Sequence, residues 1–185
     1  MKSYTKTSIT DPLKIATVTP EGLSGVIGMT LCPGRKGTSM ARGKWDRNLD
    51  VDLEVVRAWK PDIVLALLEE HEFTTLGIPH FRQAVADAGL PWQFLPIPDG
   101  GVPDDAFERT WQTLGPGVRD TLRGGGRVLI HCRAGLGRTG MLAAAILVEL
   151  GAPPQDAIVA VRAARPNTIE TAGQEAFVRV RVALR

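Results

Sequence analysis

Cysteine occurs only twice in the 185 residues, at Cys32 and Cys132, and tyrosine only once. Two cysteines cannot build a disulfide scaffold, so the fold must rest on a hydrophobic core, which a chain of this length can form as a single domain over residues 1–185. Long apolar runs are also missing. The longest, Met141 to Val148, stops at Glu149, far short of the ~18 residues that a membrane span needs. The opening MKSYTKTSITDPLK has lysines but no apolar stretch behind them, so it does not read as a secretory signal, and a reducing, cytoplasmic setting is expected. Charge of one sign does not dominate either: 22 Lys and Arg face 20 Asp and Glu, with no basic run to serve as a nucleic-acid stripe. No nucleic-acid partner is therefore expected, and any anion has to be held by a local site. Hydrophobic residues at 44% and charged residues at 23% exclude a disordered or collagen-like chain.

What is present is an alternation of short β-rich apolar runs with amphipathic stretches, the pattern of an α/β layer fold. Strands are predicted at Leu13 to Val18, Leu23 to Leu31, Asp62 to Leu68, Trp92 to Ile97 and Arg127 to His131. A helix capped by Asp50 carries Val51, Val55, Val56 and Trp59 inward and stops at Pro61, and Glu69 to His71 reads as a polar, solvated turn. Helices follow at His80 to Ala88, ended by Gly89, and at Asp105 to Leu122, where Asp105 and Glu108 have the spacing of a capping box and Gly115-Pro116-Gly117 predicts a break or kink. Between them PDGGVP, residues 98–103, is a loop. Three more helices are predicted at Thr139 to Leu150, Pro153 to Ala164 and Thr171 to Leu184.

The most informative segment lies between a buried strand and a helix start: His131-Cys132-Arg133-Ala134-Gly135-Leu136-Gly137-Arg138-Thr139-Gly140. Its loop glycines allow successive backbone N–H groups to turn around an anion, and the following helix aims its positive end at the same point. Cys132 opens this loop, where those donors and Arg138 favour a thiolate nucleophile. Arg138 supplies a planar fork that two phosphoryl oxygens fit and a lysine cannot match. Thr139 is able to donate to the sulfur.

His-Cys, five residues, Arg, then Thr and Gly resembles the signature of the cysteine-dependent protein phosphatases. Ile27 to Lys36 (IGMTLCPGRK), Pro96 to Asp104 (PIPDGGVPD) and Arg165 to Phe177 (RPNTIETAGQEAF) extend the resemblance to the dual-specificity branch, and within it to the kinase-associated phosphatases and their bacterial relatives. The resemblance covers the chain from about residue 23 to its end. It implies one domain with a central mixed sheet flanked by helices, and a two-step reaction through a phosphocysteine on Cys132. It also implies a phosphate-binding loop of Arg133, Ala134, Gly135, Leu136, Gly137 and Arg138, with Asp99 as general acid and Gln174 as a water-orienting residue. His131 and Thr139 complete the signature, and no metal or cofactor is implied. The substrate implied is a phosphorylated protein or peptide, on phosphotyrosine and also on phosphoserine and phosphothreonine.

Other readings fit these residues less well. Gly135 to Gly140 is formally G-x-G-x-x-G, but the sequence after it lacks the second strand that a dinucleotide fold requires. A purely structural Cys132 fits poorly with its His, Gly and Arg neighbours. A phosphoinositide substrate is the minor alternative, because Arg133 is the only basic variable residue in the loop, and a non-catalytic phosphopeptide-binding module conflicts with intact Cys132, Arg138 and Asp99. Cys32 reads first as a partly buried strand-end thiol, and more sharply as a redox partner that could form a disulfide with Cys132. Arg35 and Lys36 read as an exposed basic turn, and His71 and His80 as surface residues without metal-binding company.

Overall fold

The computed structural model describes residues 5–39 and 43–184. Met1 to Tyr4, the start of the segment read above for a signal, and Arg185 lie outside the described residues. In chain order the elements are β1 (Thr5–Lys6), β2 (Ala16–Val18), β3 (Val26–Leu31), β4 (Lys36–Ser39), β5 (Gly43–Asp46), α1 (Leu49–Trp59), β6 (Ile63–Ala66), α2 (Glu70–Thr75), α3 (Phe81–Asp87), β7 (Trp92–Phe94), α4 (Asp105–Arg123), β8 (Arg127–Cys132), α5 (Gly137–Glu149), α6 (Pro154–Ala164) and α7 (Ala172–Arg179).

The main sheet has five strands in the order β2-β3-β8-β6-β7, with β2 antiparallel to β3 and the other pairs parallel. It is the mixed sheet flanked by helices that the sequence led us to expect. Val128, Leu129 and Ile130 of β8 are fully buried, as a central strand covered on both faces requires. Its even-numbered side chains join a core with Phe107, Trp111, Met141 and Ile158, from α4, α5 and α6. Leu129 joins the opposite core with Leu53, Phe73 and Phe81, from α1, α2 and α3. Among the described residues no helix is long and apolar enough to cross a membrane.

Several elements differ from their predicted form. A small second sheet, β1-β5-β4, went unnoticed because its strands KGTS and GKWD are polar and carry no apolar alternation. The cap of α1 is Asn48, which accepts from the Val51 N–H at 3.0 Å, while Asp50 lies inside the first turn. The Glu69 to His71 turn is the start of α2, where Glu69 and Glu72 form a reciprocal capping box. The expected box of Asp105 and Glu108 is absent: Asp104 caps α4 by accepting from the Phe107 N–H at 2.8 Å, and Glu108 pairs with Arg181. Helix α4 runs unbroken through Pro116, and Gly115 answers a packing demand, since a Cβ there would lie 2.9 Å from the Trp111 ring. The last helix stops at Arg179 instead of running on to Leu184; beyond it the Leu184 N–H donates to the Glu149 carbonyl.

Candidate active site

β8 ends at Cys132 between two parallel neighbours, with Leu31 of β3 opposite Cys132 and Ala66 of β6 opposite His131. Loops at the carboxyl edge of parallel strands are where such sheets place ligands, and a cavity of about 400 Å³ opens there. Its lining includes Cys132, Arg133, Ala134, Arg138, Asp99 and Gln174.

The loop after Cys132 is shaped by what its carbonyls bind. The Arg133 carbonyl accepts from Arg35 at 3.0 Å and the Cys32 N–H at 3.4 Å; the Ala134 and Gly135 carbonyls accept from Arg165; the Leu136 carbonyl accepts from the Gly140 N–H at 2.8 Å. In a planar trans peptide the next N–H points opposite to the carbonyl, so holding four successive carbonyls outward turns the N–H groups of Ala134, Gly135, Leu136 and Gly137 the other way. Gly135 adopts φ +68°, and a Cβ there would lie 2.2 Å from the Thr30 carbonyl, so only glycine fits. Helix α5 begins at Gly137 and adds its positive end.

Arg138, 1% exposed, is the most heavily bonded side chain of the site. It grips both carboxylate oxygens of Glu72, at 2.6 and 2.9 Å, and also reaches the Ile97 carbonyl at 2.9 Å and an Asp99 oxygen at 2.9 Å. Burial opposes the charge, but the hydrogen bonds to Glu72 and the nearby Cys132 and Asp99 outweigh it and hold the guanidinium more firmly protonated than usual. Burial likewise works against the Glu72 carboxylate, yet Arg138 keeps it below the ordinary glutamate value. The sequence reading missed Glu72. Its one signal was the spacing of Glu69 and Glu72 at a helix start, which places the N3 carboxylate at a defined point.

Three carboxylates compete in the Asp99 to Asp105 stretch. Asp104 is spent on its helix cap and Asp105 sits exposed in the first turn of α4, whereas Asp99 lines the cavity, 58% exposed, with Arg133 3.7 Å away. Its segment turns tightly: the Gly101 N–H donates to the Pro98 carbonyl, with Gly100 at φ +71°. The turn is tied to α7 through Thr171 and Gln174, which donate to the Gly100 and Gly101 carbonyls at 3.4 and 3.3 Å. Gln174 is fully buried and accepts from the Glu170 N–H at 2.9 Å.

The other predicted residues divide. His131 points away from the cavity, into a box where Trp92 donates to its Nε2 at 3.2 Å and Phe81 packs at 5.8 Å. Burial pushes its pKa down to about 3, so it is neutral at ordinary pH. Thr139 is buried and its hydroxyl makes no hydrogen bond. Cys32 is fully rather than partly buried, and burial pushes its thiol well up, with the charge of Arg35 opposing. Arg35 is not an exposed basic turn: it is 4% exposed, borders the cavity and stacks on Trp45 at 4.9 Å, while Lys36 alone stays in solvent, 3.5 Å from Asp46.

The chain is similar to several known proteins. Cyclin-dependent kinase inhibitor 3 of Rattus norvegicus is 28% identical over 144 residues, covering 77% of this chain but only 64% of that protein's length. Protein tyrosine phosphatase domain-containing protein 1 of Bos taurus is 56% identical over a 55-residue stretch, 29% of this chain and 7% of that protein. Among solved structures, kinase associated phosphatase with its catalytic-site cysteine changed to serine matches in fold with a TM-score of 0.78 at 24% identity, covering 90% of this chain and 92% of that one. PTPMT1 in complex with PI(5)P matches at a TM-score of 0.60 and 18% identity, covering 89% and 92%. The sequence model of PTP-SAK, described as Swiss Army Knife protein, DSP-PTPase phosphatase domain, matches residues 73–178, from α2 through the signature loop to α7, and the chain therefore belongs to that phosphatase family.

Proposed function

We propose that this domain hydrolyses phosphotyrosine, and also phosphoserine and phosphothreonine, on proteins or peptides through a phosphocysteine intermediate. The observation that carries the proposal is the outward anchoring of four loop carbonyls, which leaves a ring of N–H donors beside Cys132 with Arg138 at its end. Such a preorganised ring binds a phosphoryl dianion and gains strength as charge develops on its equatorial oxygens. Cys132 as thiolate attacks phosphorus; the P–O bond breaks, and its electron pair leaves on the substrate oxygen, which takes a proton from Asp99. In the second step water attacks the phosphocysteine, gives its proton to Asp99 and releases the thiolate. Thr139 is assigned the hydrogen bond that eases this departure, and Gln174 the orientation of the water. His131 acts from behind the loop, as a positioning residue at the strand end. A nucleophilic thiol needs a reducing setting, and we place the activity in the cytoplasm on that chemical ground.

Turnover of an aryl phosphate with a metal chelator present tests the proposal, together with Cys132→Ser. The expected outcome is chelator-insensitive turnover that the serine variant abolishes while still binding phosphate, and a phosphoryl adduct trapped on Cys132. Near-normal turnover by Cys132→Ser, or an adduct on another residue, overturns it.

A further inference from the structure

We propose that Glu170 is a specificity-determining residue of this pocket: its carboxylate holds one of the loop donors, yields that donor to the incoming phosphate, and then disfavours substrates bearing a second phosphate beside the first. The inference rests on the phosphatase function proposed above and adds a substrate class to it. Glu170 borders the cavity, and its Oε2 accepts from the Gly137 N–H at 3.0 Å. Gly137 is the first residue of α5 and one of the loop donors turned toward the phosphate position. A carboxylate oxygen on that N–H and a phosphoryl oxygen are therefore competitors for one donor.

The main chain around Glu170 is built to present this carboxylate. Gln174 Oε1 accepts from the Glu170 N–H at 2.9 Å, and the preceding Ile169 donates to the Leu136 carbonyl at 3.4 Å. Ile169 is held at φ +59°, a left-handed conformation that a β-branched residue adopts only when its surroundings impose it. Arg162, donating to the Thr168 and Ile169 carbonyls at 3.2 Å, completes the clamp. With its backbone fixed and its residue exposed to solvent, Glu170 can answer an arriving dianion only by turning its side chain toward the rim.

The cavity lining mixes Arg35, Arg133 and Arg138 with two carboxylates, Asp99 and Glu170. Asp99 lies 2.9 Å from Arg138 and 3.7 Å from Arg133, so its charge is balanced within the loop. A substrate with one phosphate takes the Gly137 donor and turns the Glu170 carboxylate toward the rim. A second phosphate next to the first meets the Glu170 carboxylate as a like charge at the rim. The pocket therefore favours singly phosphorylated substrates such as phosphotyrosine peptides over polyanions such as inositol phospholipids with several phosphates.

The test compares the full chain with Glu170→Gln and Glu170→Ala. Inorganic phosphate serves as a competitive inhibitor of aryl phosphate turnover, and as a titrant in calorimetry. A phosphotyrosine peptide and a short-chain phosphatidylinositol bisphosphate serve as substrates. A hydrogen bond to a charged group sets the scale, so phosphate should bind about tenfold tighter to both variants. The ratio of kcat/KM for the bisphosphate to that for the peptide should rise about tenfold. Phosphate affinity that stays within twofold or weakens in both variants overturns the inference, as does an equal gain on both substrates. If the unaltered chain fails to turn over the aryl phosphate, the phosphatase function falls, while calorimetry still decides whether Glu170 competes with phosphate.

Discussion

Replacing Glu72 by Gln probes the contact that holds Arg138, the proposed phosphate clamp. Glu72 supplies two of the bonds that hold Arg138, and both side chains are buried, at 4% and 1% exposure. A glutamine keeps one acceptor but turns an NH₂ donor toward the other guanidinium nitrogen. Arg138 then stays buried with only Asp99, itself 58% exposed, as a carboxylate partner. Removing one member of a buried pair costs about 3–5 kcal/mol, and the remaining acceptor places this case near ~3 kcal/mol. For a domain of this size that lowers Tm by roughly 6–12 °C. A displaced clamp also loses its aim, and kcat/KM on an aryl phosphate should fall about 10²-fold. Glu72→Asp keeps the charge one methylene short and should recover part of both losses. The effect has a pH signature. The Glu72 carboxyl is held below its ordinary value in the fold, so its stabilisation is present above the unfolded-state value and is lost as pH falls through the folded one. The stability gap between the native chain and Glu72→Gln should therefore shrink in acid. Urea unfolding followed by tryptophan fluorescence, beside steady-state kinetics, measures both quantities. An unchanged urea midpoint with kcat/KM within twofold would refute the assignment of Glu72 as the residue that holds Arg138.

Three further outcomes are expected. Asp99→Asn should slow hydrolysis of phosphotyrosine by about 10²–10⁴-fold but that of an activated, low-pKa aryl phosphate far less, and should erase the basic limb of the pH profile; a larger effect of Asp104→Asn would move the acid elsewhere. His131, neutral in the fold with a pKa of about 3 against an ordinary value of 6.5, costs stability increasingly as pH falls below 6.5; between pH 7 and pH 5 it should remove about 2 kcal/mol from the native chain, a slope that His131→Gln should lack in paired urea titrations. Peroxide should join Cys132 to Cys32, which lies one residue beyond the neighbouring strand β3, as peptide mapping without reductant would reveal; a Cys32 that stays free while Cys132 oxidises ends that idea.

The active-site loop could be read from sequence because its chemistry is contiguous. A buried strand, two loop glycines, an arginine and a helix start are neighbours along the chain, and backbone geometry alone turns them into an anion cradle. That the Asp104-Asp105 pair would give a carboxylate to the helix start was also legible, although Asp104 rather than Asp105 is the cap. The positions of the major strands along the chain followed from apolar periodicity, which the polar strands β4 and β5 lack, and their order in the sheet came only with the fold. Pro116 misled because proline weighs heavily as a local signal, while the packing of Trp111 and Val118 along α4 outweighs one missing hydrogen bond.

What tertiary structure alone decided is the set of side chains that reach the loop from elsewhere. Glu72 lies 66 residues before Arg138, Arg35 lies 98 before Arg133, and Arg165 lies 30 beyond Gly135. Their roles depend on which strands pair in parallel and which helix ends they bring together, and no local pattern encodes that. Glu70 and Glu72 look alike in the sequence; the fold sends one to Arg82 at the surface and buries the other against Arg138. Chain chemistry fixes what a loop is able to bind. Packing fixes which distant charges hold it in shape and which compete with its ligand, because those interactions exist only once the intervening chain has folded.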